Sequence, residues 1–177
     1  MKILVLTGSP HKHGSTDLLA ERFIQGAQEA GHTVERFDAA FAEIHPCLGC
    51  DRCGGKQHCV QHDDIPALLD RLLDADMVVL ATPLYYFGMS AQLKMVIDRF
   101  YAVNGRIQGK RMDSAFLSVC WDSDAPSMGA LKQHYETVVR YLNWRDRGAV
   151  YGLGCGNRAM TEATEYPRQA YELGRSL

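Results

Sequence analysis

A short polar loop near the start of the chain has the residue types needed to bind an anion. It runs from Thr7 to Thr16 with the sequence TGSPHKHGST, which supplies hydroxyl groups, two histidines, one lysine and two glycines. The apolar run before it is typical of a buried strand, and the periodic segment after it is typical of a helix. Backbone N–H groups are unpaired where a helix begins, and the helix dipole places partial positive charge there. The loop therefore predicts a phosphate site.

The same composition also has a purely structural explanation. Any junction between a strand and a helix needs turn residues, and Ser and Thr are favoured at the start of a helix. The loop matches neither the dinucleotide-binding pattern GxGxxG nor the nucleotide-binding pattern GxxxxGK[S/T]. Taken alone, the loop leaves phosphate binding and simple capping as alternatives.

Four clustered cysteines form a second candidate site. Cys47, Cys50, Cys53 and Cys59 have the spacing CxxCxxCxxxxxC. Short spacers of this kind let thiolates converge on an iron–sulfur cluster, and four sulfurs would also suit zinc. The thiols could equally be structural, or redox-reactive without a metal. The spacing by itself leaves these alternatives open.

The composition is that of an ordinary globular domain. The chain has 177 residues, of which 46% are hydrophobic and 23% charged, and its formal net charge is −2. These values predict a single domain over residues 1–177, with no nucleic-acid or membrane partner. No apolar run is long enough to span a bilayer, and the start of the chain does not resemble a signal peptide. We expect a soluble cytoplasmic protein whose six cysteines are reduced.

Strand-like and helix-like segments alternate along the chain. The predicted strands are 3–7, 33–37, 77–81, 115–119 and 149–152. The predicted helices are 16–30, 65–74, 91–101, 128–142 and 163–173. This alternation predicts a parallel sheet covered on both faces. Five such units predict an α/β, flavodoxin-like, doubly wound five-stranded sheet of order 2-1-3-4-5, with its ligand site at the carboxyl ends of the first and third strands.

The loop after the third predicted strand is rich in aromatic residues. It runs from Thr82 to Ser90 with the sequence TPLYYFGMS. Tyr and Phe rings offer faces on which a flat ring system can stack, and Gly88 allows close approach of the backbone. A buried aromatic cluster that closes the end of the sheet is the alternative. Two successive tyrosines cannot both point inward on an extended segment, which favours the ligand interpretation.

Together, the two loops resemble the NADPH-dependent FMN reductase family. The first resembles its GSPxxxGxT phosphate loop, and residues 83–99 resemble its segment PxY[Y/F]xxxSxxLKxxIDR. The resemblance implies that FMN is held by Ser9, His11, Gly14, Ser15, Thr16, Pro83, Leu84, Tyr85, Tyr86, Phe87, Cys120 and Trp121. Many members carry arginine where this chain has His11, and Lys12 is the neighbouring cation that we expect to compensate.

The cysteine spacing resembles a particular branch of the same fold family, the iron–sulfur flavoproteins. That resemblance implies a [4Fe-4S] cluster ligated by Cys47, Cys50, Cys53 and Cys59. The region after Ser118 and the segment 141–144 are instead more similar to relatives that lack a cluster. We therefore favour thiols without a cluster and keep the [4Fe-4S] site as the less favoured interpretation.

The resemblance implies an oxidoreductase in which NAD(P)H reduces FMN. The electrons would then pass to a quinone, a flavin, an azo or nitro compound, or a protein, and no side chain is assigned as a catalytic acid or base. The alternatives are a flavodoxin-type or iron–sulfur electron carrier without NAD(P)H turnover, and a redox sensor switched by the four cysteines. Family resemblance also implies a homodimer or higher homo-oligomer. The electron acceptor and the preference for NADH or NADPH are not predicted.

Overall fold

The computed structural model describes residues 1–55 and 59–177, which form an α/β fold. The strands are β1 (Lys2–Thr7), β2 (Thr33–Asp38), β3 (Met77–Tyr85), β4 (Gly88–Met89), β5 (Asp113–Val119) and β6 (Arg145–Gly152). The α-helices are α1 (Ser15–Glu29), α2 (Ile65–Asp74), α3 (Ala91–Arg99), α4 (Asn104–Lys110), α5 (Gly129–Tyr141), α6 (Arg158–Glu162) and α7 (Tyr166–Arg175). Two 3₁₀ turns, Phe100–Val103 and Ala125–Met128, precede α4 and α5. No helix in the described ranges has the length and apolar content that a membrane span requires.

The predicted sheet topology is confirmed. Five strands pair in parallel in the order β2-β1-β3-β5-β6, which is the predicted order 2-1-3-4-5 once the short strand β4 is counted. β1 lies between β2 and β3, and its Leu6 is opposite Phe37 of β2 and Leu80 of β3. The carboxyl ends of β1, β3, β5 and β6 therefore meet at one edge of the sheet.

The sheet carries a hydrophobic layer on each face. Ile3 and Val5 of β1 belong to the layer covered by α1 and α7, whereas Leu4 and Leu6 belong to the layer covered by α2, α3 and α5. Successive side chains of a strand point to opposite faces, so a continuously apolar strand is buried on both. The helices cover the faces and leave the carboxyl edge to the loops.

The third strand is longer than predicted. It continues from Met77 to Tyr85 instead of ending at residue 81, and β4 folds back on it as an antiparallel pair. Part of the predicted aromatic loop is therefore a β-hairpin, with Tyr85 opposite Gly88. The rigid ladder fixes the direction of these side chains more tightly than a loop would.

The last predicted helix is also corrected by the structure. The predicted helix over 163–173 corresponds to α7, which begins at Tyr166 because Pro167 suits the first turn of a helix, and a separate short helix, α6, precedes it. The preceding helix α6 begins after Asn157, whose side chain accepts the N–H of Met160 at 2.9 Å. The short helix α4 was not predicted. The correction places Arg158 on a helix next to the carboxyl edge of the sheet.

A buried ion pair fixes the segment before α2. Arg99 of α3 donates to both carboxylate oxygens of Asp63, at 2.7 and 3.0 Å, and both side chains are inaccessible to solvent or nearly so. Arg99 also donates to the carbonyl of His45 at 2.7 Å. Asp63 in turn accepts the backbone N–H groups of His45 and Ile65. The pair thus holds both ends of the cysteine-bearing segment against α3.

We expect Asp63→Asn to lower the free energy of unfolding by about 3 kcal/mol at neutral pH, because it leaves the Arg99 charge buried without a partner. Burial alone would raise the pKa of Asp63, but the hydrogen bonds from Arg99 and the two N–H groups lower it below its ordinary value. The ion pair therefore contributes fully to the free energy of unfolding above the pKa of Asp63 in the unfolded chain, about 4. This contribution is lost as pH falls through the lower pKa of Asp63 in the folded protein.

Urea denaturation of wild type and variant between neutral and acid pH measures this effect. The difference between the two proteins should narrow as pH falls below about 4. Asp98→Asn is the matched control, since the Lys94–Asp98 pair is exposed and should be worth less than about 0.5 kcal/mol. If both variants lose the same small amount of unfolding free energy, the assigned role of the buried pair is contradicted.

Candidate functional site

A cavity of about 460 Å³ opens at the carboxyl edge of the sheet. It is bounded by the loop between β1 and α1, the end of β3, and the residues that follow β5 and β6. All the residues predicted to hold FMN line it except Tyr86 and Phe87. The other lining residues are His13, Val119, Cys155, Gly156, Asn157 and Arg158. The cavity lies where doubly wound sheets bind their ligands.

The first turn of α1 presents unpaired donors to this cavity. Gly14 precedes the helix with an extended backbone and has no side chain to cap it. The hydroxyl oxygen of Ser15 is buried without a hydrogen-bond partner, and Thr16 is buried beside it. These groups, together with the helix dipole, suit an anion in the place of a capping side chain.

The histidines and Ser9 shape the loop before α1. The N–H of His11 donates to the hydroxyl of Ser9 at 3.2 Å, so Ser9 supports the turn of its own loop. His13 adopts a positive φ of 57°, and its N–H donates to Asp17 at 2.9 Å. Lys12 lies over the ring of Phe41, 4.7 Å from the centroid, and lines a smaller neighbouring cavity of about 210 Å³. Lys12 is therefore not among the residues that line the main cavity.

A charged network steadies the same helix start. Arg36 of β2 forms ion pairs with Asp17 of α1 and with Asp38 at the end of the same strand. Burial alone would raise the pKa of Asp17, but the hydrogen bonds from Arg36 and from the His13 backbone hold it below its ordinary value. Asp17 is thus ionised, and the guanidinium of Arg36 offsets a negative charge that would otherwise repel an anion at α1.

Ser90 links the loop between β1 and α1 to the β-hairpin. Its buried hydroxyl donates to the carbonyl of Gly8 at 2.7 Å and accepts the N–H of Leu93 at 3.3 Å where α3 begins. Its own N–H donates to the hydroxyl of Thr82 at 2.9 Å. The N–H of Gly8 donates to the carbonyl of Ala81, also at 2.9 Å. These contacts hold the two loops predicted from the sequence side by side.

Some residues of the hairpin line the cavity, whereas others are exposed to solvent. Pro83, Leu84 and Tyr85 line the cavity as the end of β3. Tyr86 and Phe87 are the two central residues of the turn, with positive φ values of 45° and 62°. Such values are required by the tight turn that suits the twist of a hairpin, and they are uncommon for bulky residues. Tyr86 is fully exposed and Phe87 is 59% exposed.

The third wall of the cavity contains an aromatic ring and two thiols. Trp121 follows β5 and packs against Gly156, where an added Cβ would lie 2.6 Å from a ring carbon. Cys120 and Cys155 are buried, and burial raises the pKa of both thiols. Both are therefore protonated at neutral pH. They belong to the hydrophobic layers on opposite faces of the sheet.

The sequence did not predict most of the cavity wall that is formed by the residues after β6. Cys155 lies between two glycines after a predicted strand, and the convergence of strand ends at one edge was the available indication that it could face the site. Arg158 had no such indication, because the predicted helix began five residues later. Its position depends on α6, which the periodicity did not predict.

The four clustered cysteines line a separate cavity of about 450 Å³. Cys47 and Cys50 are exposed, whereas Cys53 and Cys59 are half-buried. Within residues 1–55 and 59–177, no three of these sulfurs lie within 4.8 Å of one another. A tetrahedral zinc site needs sulfurs about 3.8 Å apart, so no preformed zinc site is present in that part of the chain. The donor set has the chemistry of an iron–sulfur ligand set.

The fold is shared with solved flavoprotein and oxidoreductase structures. An NAD(P)H:quinone oxidoreductase from Methanothermobacter marburgensis superposes with a TM-score of 0.76 at 19% identity, covering 99% of this chain and 95% of that one. A flavone reductase superposes with a TM-score of 0.75 at 21% identity, covering 99% of this chain and 61% of that one. At these identities the likeness concerns the fold alone.

Sequence relatives fall into two groups. An iron–sulfur flavoprotein of Methanocaldococcus jannaschii is 37% identical over 99 residues, which cover 56% of this chain and 51% of the relative. The match to such proteins therefore spans about half of their length. A Bacillus subtilis protein, named as an NAD(P)H-dependent FMN-containing oxidoreductase, is 30% identical over 166 residues, covering 89% of this chain and 87% of the relative.

A family model described as NADPH-dependent FMN reductase matches residues 1–173. The match contains both loops that meet at the cavity and all the strands of the sheet. The chain therefore belongs to the NADPH-dependent FMN reductase family.

Proposed function

We propose that this chain is an FMN-dependent NAD(P)H oxidoreductase that passes electrons to a quinone, a flavin or a similar small acceptor. The observation that carries the proposal is the meeting of the phosphate loop and the end of β3 around one cavity. FMN, when bound, takes hydride from NAD(P)H and passes its electrons to the acceptor, which is chemistry that the protein does not supply. In this proposal residues 1–177 act as one FMN-binding domain.

The residues at the start of α1 would hold the phosphate. The unpartnered hydroxyl of Ser15 and the free N–H groups of the first turn are donors that a phosphate accepts, so these residues fit the group. The ion pair between Asp17 and Arg36 keeps the helix start from carrying a net negative charge. His11 would add a donor at the exposed rim of the loop.

The other walls would hold the flat ring system. Pro83 and Leu84 supply apolar contacts, and the rings of Tyr85 and Trp121 supply faces for stacking. Cys120 is an uncharged thiol, because burial raises its pKa, so it adds no charge beside the ring. The role of these residues is to bind and orient the cofactor and to exclude water from one side.

An electron carrier without NAD(P)H turnover is the alternative function. Carriers of the flavodoxin type are strongly acidic where they dock, whereas this chain has 21 acidic and 19 basic side chains. The near balance of charge supports the reductase.

Rapid mixing under anaerobic conditions tests the proposed reaction. FMN-loaded protein should lose its oxidised flavin absorbance when mixed with NADH or NADPH, because the bound cofactor accepts hydride. Free FMN at the same concentration is the control for direct reduction in solution. If neither nucleotide reduces the loaded protein faster than free FMN, the protein is a carrier and the reductase proposal fails.

The relatives named iron–sulfur flavoproteins support a second candidate, in which the cysteine segment holds a [4Fe-4S] cluster. The four thiols line one cavity and provide the donor set that such a cluster needs. The relative matched over 89% of this chain is named as an FMN-containing oxidoreductase, which favours metal-free thiols.

Iron analysis of anaerobically purified protein decides between these states of the cysteines. We expect less than about half an iron per chain, and no change in visible absorbance in a Cys50→Ser variant. Leu48→Ala is the matched control, because Leu48 is an exposed residue of the same segment that carries no thiol. About four irons per chain, lost in Cys50→Ser but not in the control, would establish the cluster instead.

The proposal also includes a homodimer or higher homo-oligomer located in the cytoplasm. The exposed rings of Tyr86, Phe87 and Trp121 lie on the hairpin and on the cavity wall, and exposed aromatic groups of this kind often mark protein contacts. All six cysteines are free thiols, as is usual for proteins of a reducing compartment.

A further inference from the structure

We infer that Arg158 of α6 binds a phosphate monoester in the main cavity and supplies the cation that the phosphate loop lacks. This inference rests on the proposed function, since the phosphate would belong to FMN or to the nicotinamide nucleotide. Arg158 lies outside both family motifs and was not predicted from the sequence. Its role follows from how its guanidinium is held and which of its donors is left unpaired.

Two carboxylates hold the guanidinium of Arg158 in one orientation. Nη2 donates to Glu21 of α1 at 2.8 Å, and Nε donates to Glu162 of α6 at 3.0 Å. The third nitrogen, Nη1, is buried and has no hydrogen-bond partner. Because a guanidinium is a rigid planar fork, the two carboxylates fix the direction of the unpaired Nη1.

A second unpaired donor lines the same cavity. Four buried side-chain polar atoms lack a partner among the described residues, and two of them belong to Ser15 and Arg158. Both residues line the main cavity. A buried donor without a partner is costly, so two on one cavity indicate a ligand that accepts from both. An oxyanion with several acceptor oxygens meets this requirement.

The other cations near α1 lie outside the main cavity. Lys12 and Arg36 line the smaller neighbouring cavity instead. Among the residues that line the main cavity, Arg158 is the one lysine or arginine. Glu21 and Glu162 offset part of its charge, so what Arg158 offers an anion is the unpaired Nη1 of a guanidinium that stays protonated, whereas histidine is only partly charged near neutrality.

Glu21 couples this arginine to the helix that begins at the phosphate loop. Glu21 lies one turn after Asp17 on the same face of α1, so its carboxylate and the helix start move as one unit. Arg158 is thereby held at a fixed position relative to Ser15. We assign Arg158 as a ligand of the phosphate and Glu21 as a positioning residue.

Two phosphate monoesters can reach this cavity in the proposed reaction. One is the 5′-phosphate of FMN, which riboflavin lacks, and the other is the 2′-phosphate of NADPH, which NADH lacks. Each pair of compounds differs only in that group. Comparing the two pairs therefore identifies which phosphate Arg158 contacts.

The first arm of the test titrates the apoprotein of the full chain with FMN and with riboflavin. If the ligand is the FMN phosphate, Arg158→Gln should raise the Kd for FMN about tenfold or more and leave the Kd for riboflavin unchanged. The second arm measures the KM for NADPH and for NADH with FMN-saturated protein. If the ligand is the 2′-phosphate, only the KM for NADPH should rise, by a similar factor.

Two further variants keep the test decisive. Arg168→Gln is the matched control, because Arg168 also pairs with two glutamates, Glu165 and Glu172, but does not line the cavity. Arg158→Lys keeps the charge without the fork and should give a smaller rise of the same kind, even if Arg158→Gln fails to fold.

The inference is overturned if the Arg158 variants leave unchanged both the ratio of the Kd for FMN to the Kd for riboflavin and the ratio of the KM for NADPH to the KM for NADH. Equal losses of affinity for FMN and for riboflavin would also overturn it, since Arg158 would then only connect α6 to α1. Failure of the wild-type chain to bind FMN would instead defeat the proposed function.

Discussion

The hydrogen bond from the buried hydroxyl of Ser90 to the carbonyl of Gly8 is the contact on which the site depends. It joins the loop that begins at the end of β1 to the hairpin that begins at the end of β3. The two strands are neighbours in the sheet, yet their loops could diverge beyond its edge. Gly8 permits the approach because an added Cβ would lie 2.6 Å from the Cβ of Leu93. One small residue and one hydroxyl thus place the proposed phosphate subsite beside the proposed ring subsite.

Charge compensation extends this arrangement around the start of α1. Asp17 stabilises the loop by accepting the N–H of His13, and it lies where a negative charge would repel an anion. Arg36 removes that conflict through its ion pair with Asp17. Arg158 approaches from α6, and its link to Glu21 keeps it aligned with the same helix. The walls of the cavity are therefore set by residues from distant parts of the chain that meet at α1.

The sheet order and the main loops could be predicted because they depend on local patterns. The alternation of strands and helices fixes a parallel sheet, and the rule for ligand sites then relates residues 7–16 to residues 82–90. The positions of Tyr86 and Phe87 could not be predicted, since they depend on the extension of β3 and on a turn with positive φ at bulky residues. The position of Arg158 at the cavity could not be predicted either, because α6 is too short to produce a clear hydrophobic periodicity.

If the Gly8–Ser90 contact makes the two loops one FMN site, FMN titration of a Gly8→Ala apoprotein tests this most directly. We expect this variant to raise the Kd for FMN about tenfold or more, because the added Cβ pushes the loop before α1 away from the hairpin. Gly109→Ala, at a helical glycine with nothing within 4 Å of an added Cβ, should bind FMN like wild type. A folded Gly8→Ala protein with wild-type affinity for FMN would show that the contact does not join the two loops into one FMN site.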